Sequence, residues 1–158
     1  MTLQVRRATE KDIPRIQELL VQVNQVHADG RPDIFKSGGV KYTDGQLRIL
    51  LEDDTRPVFV AVNEEDFVCG YGFCIITDVQ ETSNRVPMKT LYIDDLCVDE
   101  KIRRMGTGKV LYDFIVRYAR EIGCYNLTLN VWACNPSAMA FYEKQGLVML
   151  KKEMEMIL

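Results

Sequence analysis

A mixed α/β fold, with one β-sheet covered by helices on both faces, is what this sequence predicts. Three observations carry that expectation. Strand-like and helix-like segments follow one another as β-α-α-β-β-β-α-β-α-β, an order that mixes hairpins with a crossover. The stretch Val110, Leu111, Phe114, Ile115, Tyr118, Ala119 and Ile122 is a strongly amphipathic helix set between two strand-like runs. The chain has 158 residues, 47% of them hydrophobic and 27% charged, which suits one core but not two. Residues 1–158 are therefore expected to form a single domain.

The elements follow in order. Leu3 to Arg7 alternate as a short strand. Thr9 and Asp12 then open a helix in which Ile13, Ile16, Leu19, Leu20, Val23 and Val26 recur at helical spacing. Pro14 sits near its first turn, where a missing N–H does least harm. Residues 27–43 hold three Gly, one Pro and five charged residues and read as a functional loop. Asp44 to Asp53 reads as a short helix. Pro57 to Val62 and Phe67 to Ile76 are β-branched and aromatic runs joined by the polar turn Asn63-Glu64-Glu65-Asp66, a hairpin. Thr90 to Val98 is the next strand. Gly123 stops the long helix, and Leu127, Leu129 and Val131 alternate with polar residues in a further strand. Asn135 followed by Pro136 is an N-cap with proline at the first helical position, opening a last helix that ends at Gly146. Leu147 to Leu158 is expected to return as one or two closing strands.

Composition removes several function classes. Lys plus Arg is 20 and Asp plus Glu is 23, so the net charge of −3 disfavours bulk nucleic-acid binding. Five cysteines form no Cys-x-x-Cys pair and His27 is the only histidine, so no zinc ligand set is expected. The cysteines read as small buried hydrophobes in a reducing compartment. Residues 1–10 lack the apolar core of a signal peptide, and no apolar run is long enough to span a bilayer. The expectation is a cytoplasmic protein without a membrane partner.

Chemistry concentrates in residues 90–146. The strand LYIDDLCV passes through a charged turn into Met105-Gly106-Thr107-Gly108, and the long helix begins at once. Glycines at a strand-to-helix turn let backbone N–H groups approach a ligand, and the helix N-terminus adds partial positive charge. Arg103, Arg104 and Lys109 add full charges. This is the chemistry of a pyrophosphate cradle, although an isolated Gly-x-Gly can equally be only a tight turn. A Walker A loop needs G-x-x-x-x-G-K followed by Ser or Thr, but Val110 follows Lys109. A dinucleotide fingerprint needs a third glycine where Leu111 stands.

Two motifs in this region resemble those of the GNAT superfamily of acetyl-CoA-dependent N-acetyltransferases. Arg103, Gly106 and Gly108 match the spacing of its cofactor motif (Arg or Gln, two residues, Gly, one residue, Gly or Ala). Asn135-Pro136-Ser137-Ala138, Phe141-Tyr142 and Gly146-Leu147 match its second signature, in the right order. The match covers about residues 90–150; over residues 1–89 only the order of elements agrees. The resemblance implies a GNAT-type fold, acetyl-CoA as co-substrate and no metal. It implies that Leu96, Cys97 and Val98 pair with the pantetheine arm through their backbone. Arg103, Arg104, Met105, Gly106, Thr107, Gly108 and Lys109 would hold the pyrophosphate, with Asn135, Ser137 and Ala138 opposite. Tyr142 would protonate the departing thiolate, although an aromatic pair on an amphipathic helix is on periodicity alone a core feature.

An amine acceptor must lose a proton before it attacks, so a base is required. Asp94 and Asp95 are unusual in an apolar strand, and strand alternation lets only one face a given cleft. The resemblance favours Asp94 as base or amine binder, acting through ordered water. Asp95 is then expected to be structural, paired with a basic residue or capping a loop. His27 and Asp29, beside the 28–42 loop, are candidate acceptor contacts, although a histidine ending a helix is commonly an end-of-helix charge. Trp132 is expected in the core or pocket wall. An acyl-cysteine route through Cys97 or Cys134 has no neighbouring base in the sequence. The reading is acetyl transfer to a small cationic amine, such as a polyamine or amino sugar, by direct attack in a ternary complex. The alternatives are a protein N-terminus or lysine as acceptor, a non-catalytic acyl-CoA-binding module, and a nucleotide-binding domain. Dimerisation is common among the proteins the chain resembles.

Overall fold

The computed structural model describes residues 2–102 and 105–158. In chain order the elements are β1 (Gln4–Arg7), α1 (Ile13–Gly30), α2 (Asp44–Leu51), β2 (Val58–Val62), β3 (Val68–Val79), β4 (Met88–Val98), α3 (Thr107–Glu121), β5 (Asn126–Leu129) and α4 (Pro136–Lys144). The strands lie in sequence order across one sheet, β1-β2-β3-β4-β5. Every neighbouring pair is antiparallel except β4 and β5, which are parallel and joined through α3. That one crossover is what a mixed sheet requires.

Alternation along the strands feeds two cores. Val58, Val60 and Val62 of β2, with Tyr71 and Phe73 of β3, pack against Ile16, Leu19 and Leu20 of α1 and Leu47 and Leu50 of α2. Phe59, Cys74, Leu91 and Ile93 face the other way and pack against Tyr112, Ile115 and Ala119 of α3 and Tyr142 of α4. Helices therefore cover both faces, as the pattern of apolar residues predicts.

Local chemistry fixes the helix starts. Ahead of α1, the Thr9 N–H donates to Asp12 Oδ2 at 2.8 Å, and the Arg6 guanidinium grips both Asp12 oxygens at 2.8 Å. At α4, the Asn135 side chain accepts from the Ala138 N–H at 3.2 Å and Pro136 takes the first turn. Before α3, Gly106 has φ +79°, a left-handed conformation that a side chain would strain.

Three sequence expectations need correction. Helix α1 runs to Gly30 instead of ending near Val26, so His27 and Asp29 are helical. A Cβ at Gly30 would lie 2.5 Å from Cys134 Sγ; only glycine lets the end of α1 approach that close. The closing strands are absent: beyond Gly146, residues 147–158 have no regular structure, and no neighbouring strand pairs with them. The expected final β of the element order therefore does not form. The third concerns the cysteines. Cys69, Cys74 and Cys97 are buried and none of the five is in a disulfide, but Cys134 is exposed.

Candidate active site

Strand β4 is not regular. Phe73 opposes Asp95 whereas the next residue, Cys74, opposes Ile93, so Asp94 is an extra residue without a partner on β3. A bulge of this kind reverses the facing of everything beyond it. Leu91 and Ile93 point to the α3 side, but Cys97 joins the α1 side. The simple alternation used to separate Asp94 from Asp95 fails here, because it assumes an unbroken pleat.

Beyond the bulge, a cleft of about 1080 Å³ opens between β4, α3 and α4. Leu96, Cys97 and Val98 form one wall, and Asn135, Ser137, Ala138 and Tyr142 the other. Gly106, Thr107, Gly108 and Lys109 line its base at the N-terminus of α3. Of the other sequence candidates for cofactor binding, Met105 is exposed and not in this lining, Arg103 and Arg104 lie outside the described residues, and Lys109 lines the cleft but spends its ammonium on Asp113 at 2.7 Å. The residues present suit a pyrophosphate carrying an acyl thioester arm. Among the described residues the buried Thr107 Oγ1 has no hydrogen-bond partner, an unsatisfied polar group at the cleft base. A Cβ on Gly108 would stand 3.5 Å from the Phe141 ring and 3.6 Å from a Val98 methyl, narrowing the cleft where its walls meet. Val110 N–H bonds back to Gly106 O at 3.0 Å as α3 begins, and the N–H groups of a helix's first turn have no partner within the helix.

Tyr142 is buried yet lines this cleft, so it is both core and site. Burial, then the nearby charges of Asp95 and Tyr112, hold its phenol well above the usual tyrosine range. Tyr112 also lines the cleft, its ring 6.3 Å from that of Tyr142. Sequence reading missed Tyr112 and Val116, yet a signal was there: Gly108, Tyr112, Val116 and Arg120 repeat at i, i+4 down one face of α3, and all four line the cleft.

The two aspartates have different environments. Asp94 Oδ2 meets Lys41 Nζ at 2.6 Å. Burial opposes the Lys41 charge, but Asp94 outweighs it and holds the ammonium above its usual value. Asp95 accepts a hydrogen bond from the buried Tyr71 hydroxyl at 2.7 Å, not an ion pair from a basic residue as expected. Burial pushes its carboxyl up to about 6 against the opposing Tyr71 bond and Lys41 charge. Nothing in the sequence pointed to Lys41, which arrives from a loop 53 positions before Asp94.

Around Lys41 stands an aromatic wall. His27 lies 5.0 Å from Phe35 and 6.2 Å from Trp132, and Phe35 meets Trp132 edge-on at 5.2 Å. Burial, then the Lys41 charge, lowers the His27 pKa below its usual value. Trp132 is 39% exposed and so is wall, not core. Asn130, just past β5, donates to the Tyr92 hydroxyl of β4 at 3.1 Å. Asp29 is turned outward and accepts from Gln25 at 2.7 Å on its own helix, apart from the Asp94 group. Among the described residues no group of three His, Cys, Asp or Glu side chains could hold a metal ion, and no helix is long and apolar enough to cross a membrane.

Comparison with known proteins bears on the fold and the family. A structure of a mutant BH1408 protein from Bacillus halodurans matches with a TM-score of 0.94 at 29% identity, covering 98% of this chain and 99% of that one. Peptidyl-lysine N-acetyltransferase YjaB of Escherichia coli is 30% identical over 111 residues, 66% of this chain and 63% of that protein. A glucosamine 6-phosphate N-acetyltransferase of Arabidopsis thaliana is 32% identical over 59 residues, 37% of this chain and 38% of its own length. The matches thus span less than two thirds of these curated relatives. The model of the Acetyltransferase (GNAT) family matches residues 6–147, and the chain belongs to that family.

Proposed function

We propose that residues 1–158 act as one acetyltransferase unit that moves the acetyl group of acetyl-CoA to a primary amine by direct attack in a ternary complex. The observation that carries this reading is the cleft itself. Splayed β4, the glycine-opened start of α3 and the Asn135 cap of α4 meet there beside a buried tyrosine and an acidic bulge. Acetyl-CoA supplies an activated acyl carbonyl and a thiol leaving group. The backbone N–H groups at the start of α3 bind anionic oxygens. The β4 edge at Leu96 to Val98 offers main-chain groups to an extended arm.

Asp94 anchors the acceptor ammonium and receives its proton directly or through water, leaving a nucleophilic lone pair. Tyr142 gives its hydroxyl proton to the sulfur as the C–S bond breaks. A phenol held above its usual pKa remains protonated until then. Cys97 is less suited to an acyl-enzyme route, since its sulfur faces Leu19 O at 3.7 Å in the α1 core.

The acceptor reading is a small cationic amine of the polyamine or amino-sugar type. Its support is Lys41: a primary ammonium on an alkyl stem already sits against Asp94 at 2.6 Å. The same contact, with the similarity to a peptidyl-lysine acetyltransferase, favours a protein lysine as second reading. Cysteines outside disulfides fit a reducing, cytoplasmic setting.

Thermal shift with acetyl-CoA, coenzyme A, ATP and NAD, followed by thiol release over a panel of amines, tests the proposal. Selective stabilisation by the coenzyme A compounds and thiol release with spermidine or glucosamine are expected. Turnover only with lysine peptides selects the second reading. Binding without turnover leaves a binding module, and protection by ATP or NAD alone overturns the cleft assignment.

A further inference from the structure

Lys41 is held where an acceptor amine would stand. Its loop is pinned to α1 on both sides of the residue: Asn24 donates to Lys36 O at 2.7 Å, and Gln17 donates to Tyr42 O at 2.9 Å. The Tyr42 ring stacks on Phe73 of β3 with centroids 5.7 Å apart, and its hydroxyl accepts from Arg56 at 3.3 Å. Lys41 Nζ then lies 5.5 Å from the centre of the Tyr42 ring and 2.6 Å from Asp94 Oδ2. The fold has small need of this ion pair, because a lysine 48% exposed adds little to stability through it.

The amine also faces the reacting end of the cleft. Asp94 precedes Leu96 of the β4 wall by two positions, ~7 Å of strand. The next carboxyl, Asp95, is close enough to act electrostatically on both the Lys41 ammonium and the Tyr142 phenol. A base, a primary amine within its hydrogen-bond reach and an acid are thus gathered around one stretch of β4.

We propose that Lys41 is a site of self-acetylation: the chain moves one acetyl group from acetyl-CoA to Lys41 Nζ within its own active site. The inference rests on the acetyl-transfer reading above and adds an acceptor that the chain itself carries. Asp94 takes one proton from the ammonium and passes it to solvent. The nitrogen lone pair forms a C–N bond to the acetyl carbon, and the C–S bond breaks with its electron pair going to sulfur. Sulfur takes the Tyr142 hydroxyl proton, and the second proton lost by nitrogen replaces it. The products are Nε-acetyl-Lys41 and coenzyme A. Because the amine is tethered, attack needs no second encounter. The amide carries no charge, so the modified chain presents Asp94 to a free amine without the resident competitor.

The full chain incubated with acetyl-CoA and no added amine, followed over time by peptide mass spectrometry, tests this. Lys41 should gain one acetyl group at a rate independent of protein concentration, about 10-fold or more faster than the exposed Lys151 and Lys152 of the same chain. Tyr142→Phe and Asp94→Asn should each slow the modification of Lys41 about 10-fold or more and leave that of Lys151 and Lys152 unchanged. Acetylation of Lys41 no faster than at those two lysines, or equally fast in both variants, is uncatalysed chemistry and overturns the proposal. A rate that climbs with protein concentration also overturns it, since one copy then modifies another. Thiol release with free amines from a chain whose Lys41 stays unmodified overturns this inference alone. A chain that acetyl-CoA does not stabilise in thermal shift loses both this inference and the acetyl-transfer reading.

Discussion

The two ends of the candidate site are built in opposite ways. The cofactor end is made from three elements of one stretch of chain, β4, α3 and α4, and much of its chemistry is backbone: an open strand, a glycine turn at φ +79° and a capped helix start. The acceptor end is made from side chains that travel far to meet. Lys41 comes from the loop after α1, Asp94 from a bulge, and the wall from His27, Phe35 and Trp132. Backbone sites tolerate sequence change except where a side chain would intrude. Side-chain sites can be retuned one residue at a time. The cofactor end should therefore be costly to alter and the acceptor end adjustable.

Tyr142→Phe gives the largest expected effect. It removes only a hydroxyl from a ring that the core still holds, so kcat should fall by about 10- to 10⁴-fold with coenzyme A affinity intact. Steady-state kinetics with calorimetric coenzyme A binding separates the two, and an unchanged kcat removes Tyr142 from the chemistry. Gly108→Val comes next. A Cβ there only touches Phe141 and Val98 at ordinary contact, but two further methyls must enter the cleft. Coenzyme A binding should weaken by about 10- to 100-fold while the protein stays folded. Retained affinity would show that the base of the cleft is not where the pyrophosphate lies.

The same contrast explains what the sequence disclosed. Gly106, Gly108, Asn135 and Pro136 act within a few residues of themselves, so their spacing is enough to read the cleft. The face Gly108, Tyr112, Val116 and Arg120 was equally readable from helical periodicity. The bulge at Asp94 was not, because it depends on how β3 and β4 register, which no local pattern states. Lys41 against Asp94 and Tyr71 against Asp95 are likewise products of packing between distant segments. The tail shows the converse. Apolar residues there do predict a strand, but a strand forms only by pairing with another, and residues 147–158 pair with none in the sheet β1-β2-β3-β4-β5.

Asp95 lies between the two ends, bonded to the α1-side core through Tyr71 and electrically coupled to both Tyr142 and Lys41. Its carboxyl is raised from 3.8 to about 6 by burial. The folded state therefore binds the proton more tightly than the unfolded chain, and stability falls as pH rises between those two values. Below that window both states are protonated and the site contributes no pH dependence. Above it the ionised carboxylate costs the fold about 1–3 kcal/mol. Asp95→Asn cannot ionise, so urea melts should show the wild type losing ground to the variant from pH ~4 to ~6 and holding a constant gap above. A gap that does not change with pH would mean that Asp95 is solvated, and that the two ends are not joined through it.

Lys41→Gln probes the acceptor end with the smallest expected effect. In the resting protein the Lys41 ammonium holds Asp94 at 2.6 Å, so a cationic acceptor must compete with a tethered copy of its own functional group. Removing that competitor strengthens the pull of Asp94 on a free ammonium, while the half-exposed position of Lys41 keeps the gain modest. KM for a primary amine should drop about 3- to 10-fold, with kcat and coenzyme A affinity unchanged, and the drop should shrink as salt is added. Asp94→Asn should move KM the other way. If KM instead rises in Lys41→Gln, the lysine contacts the acceptor as a partner, and the acceptor then carries an anionic group beside its amine.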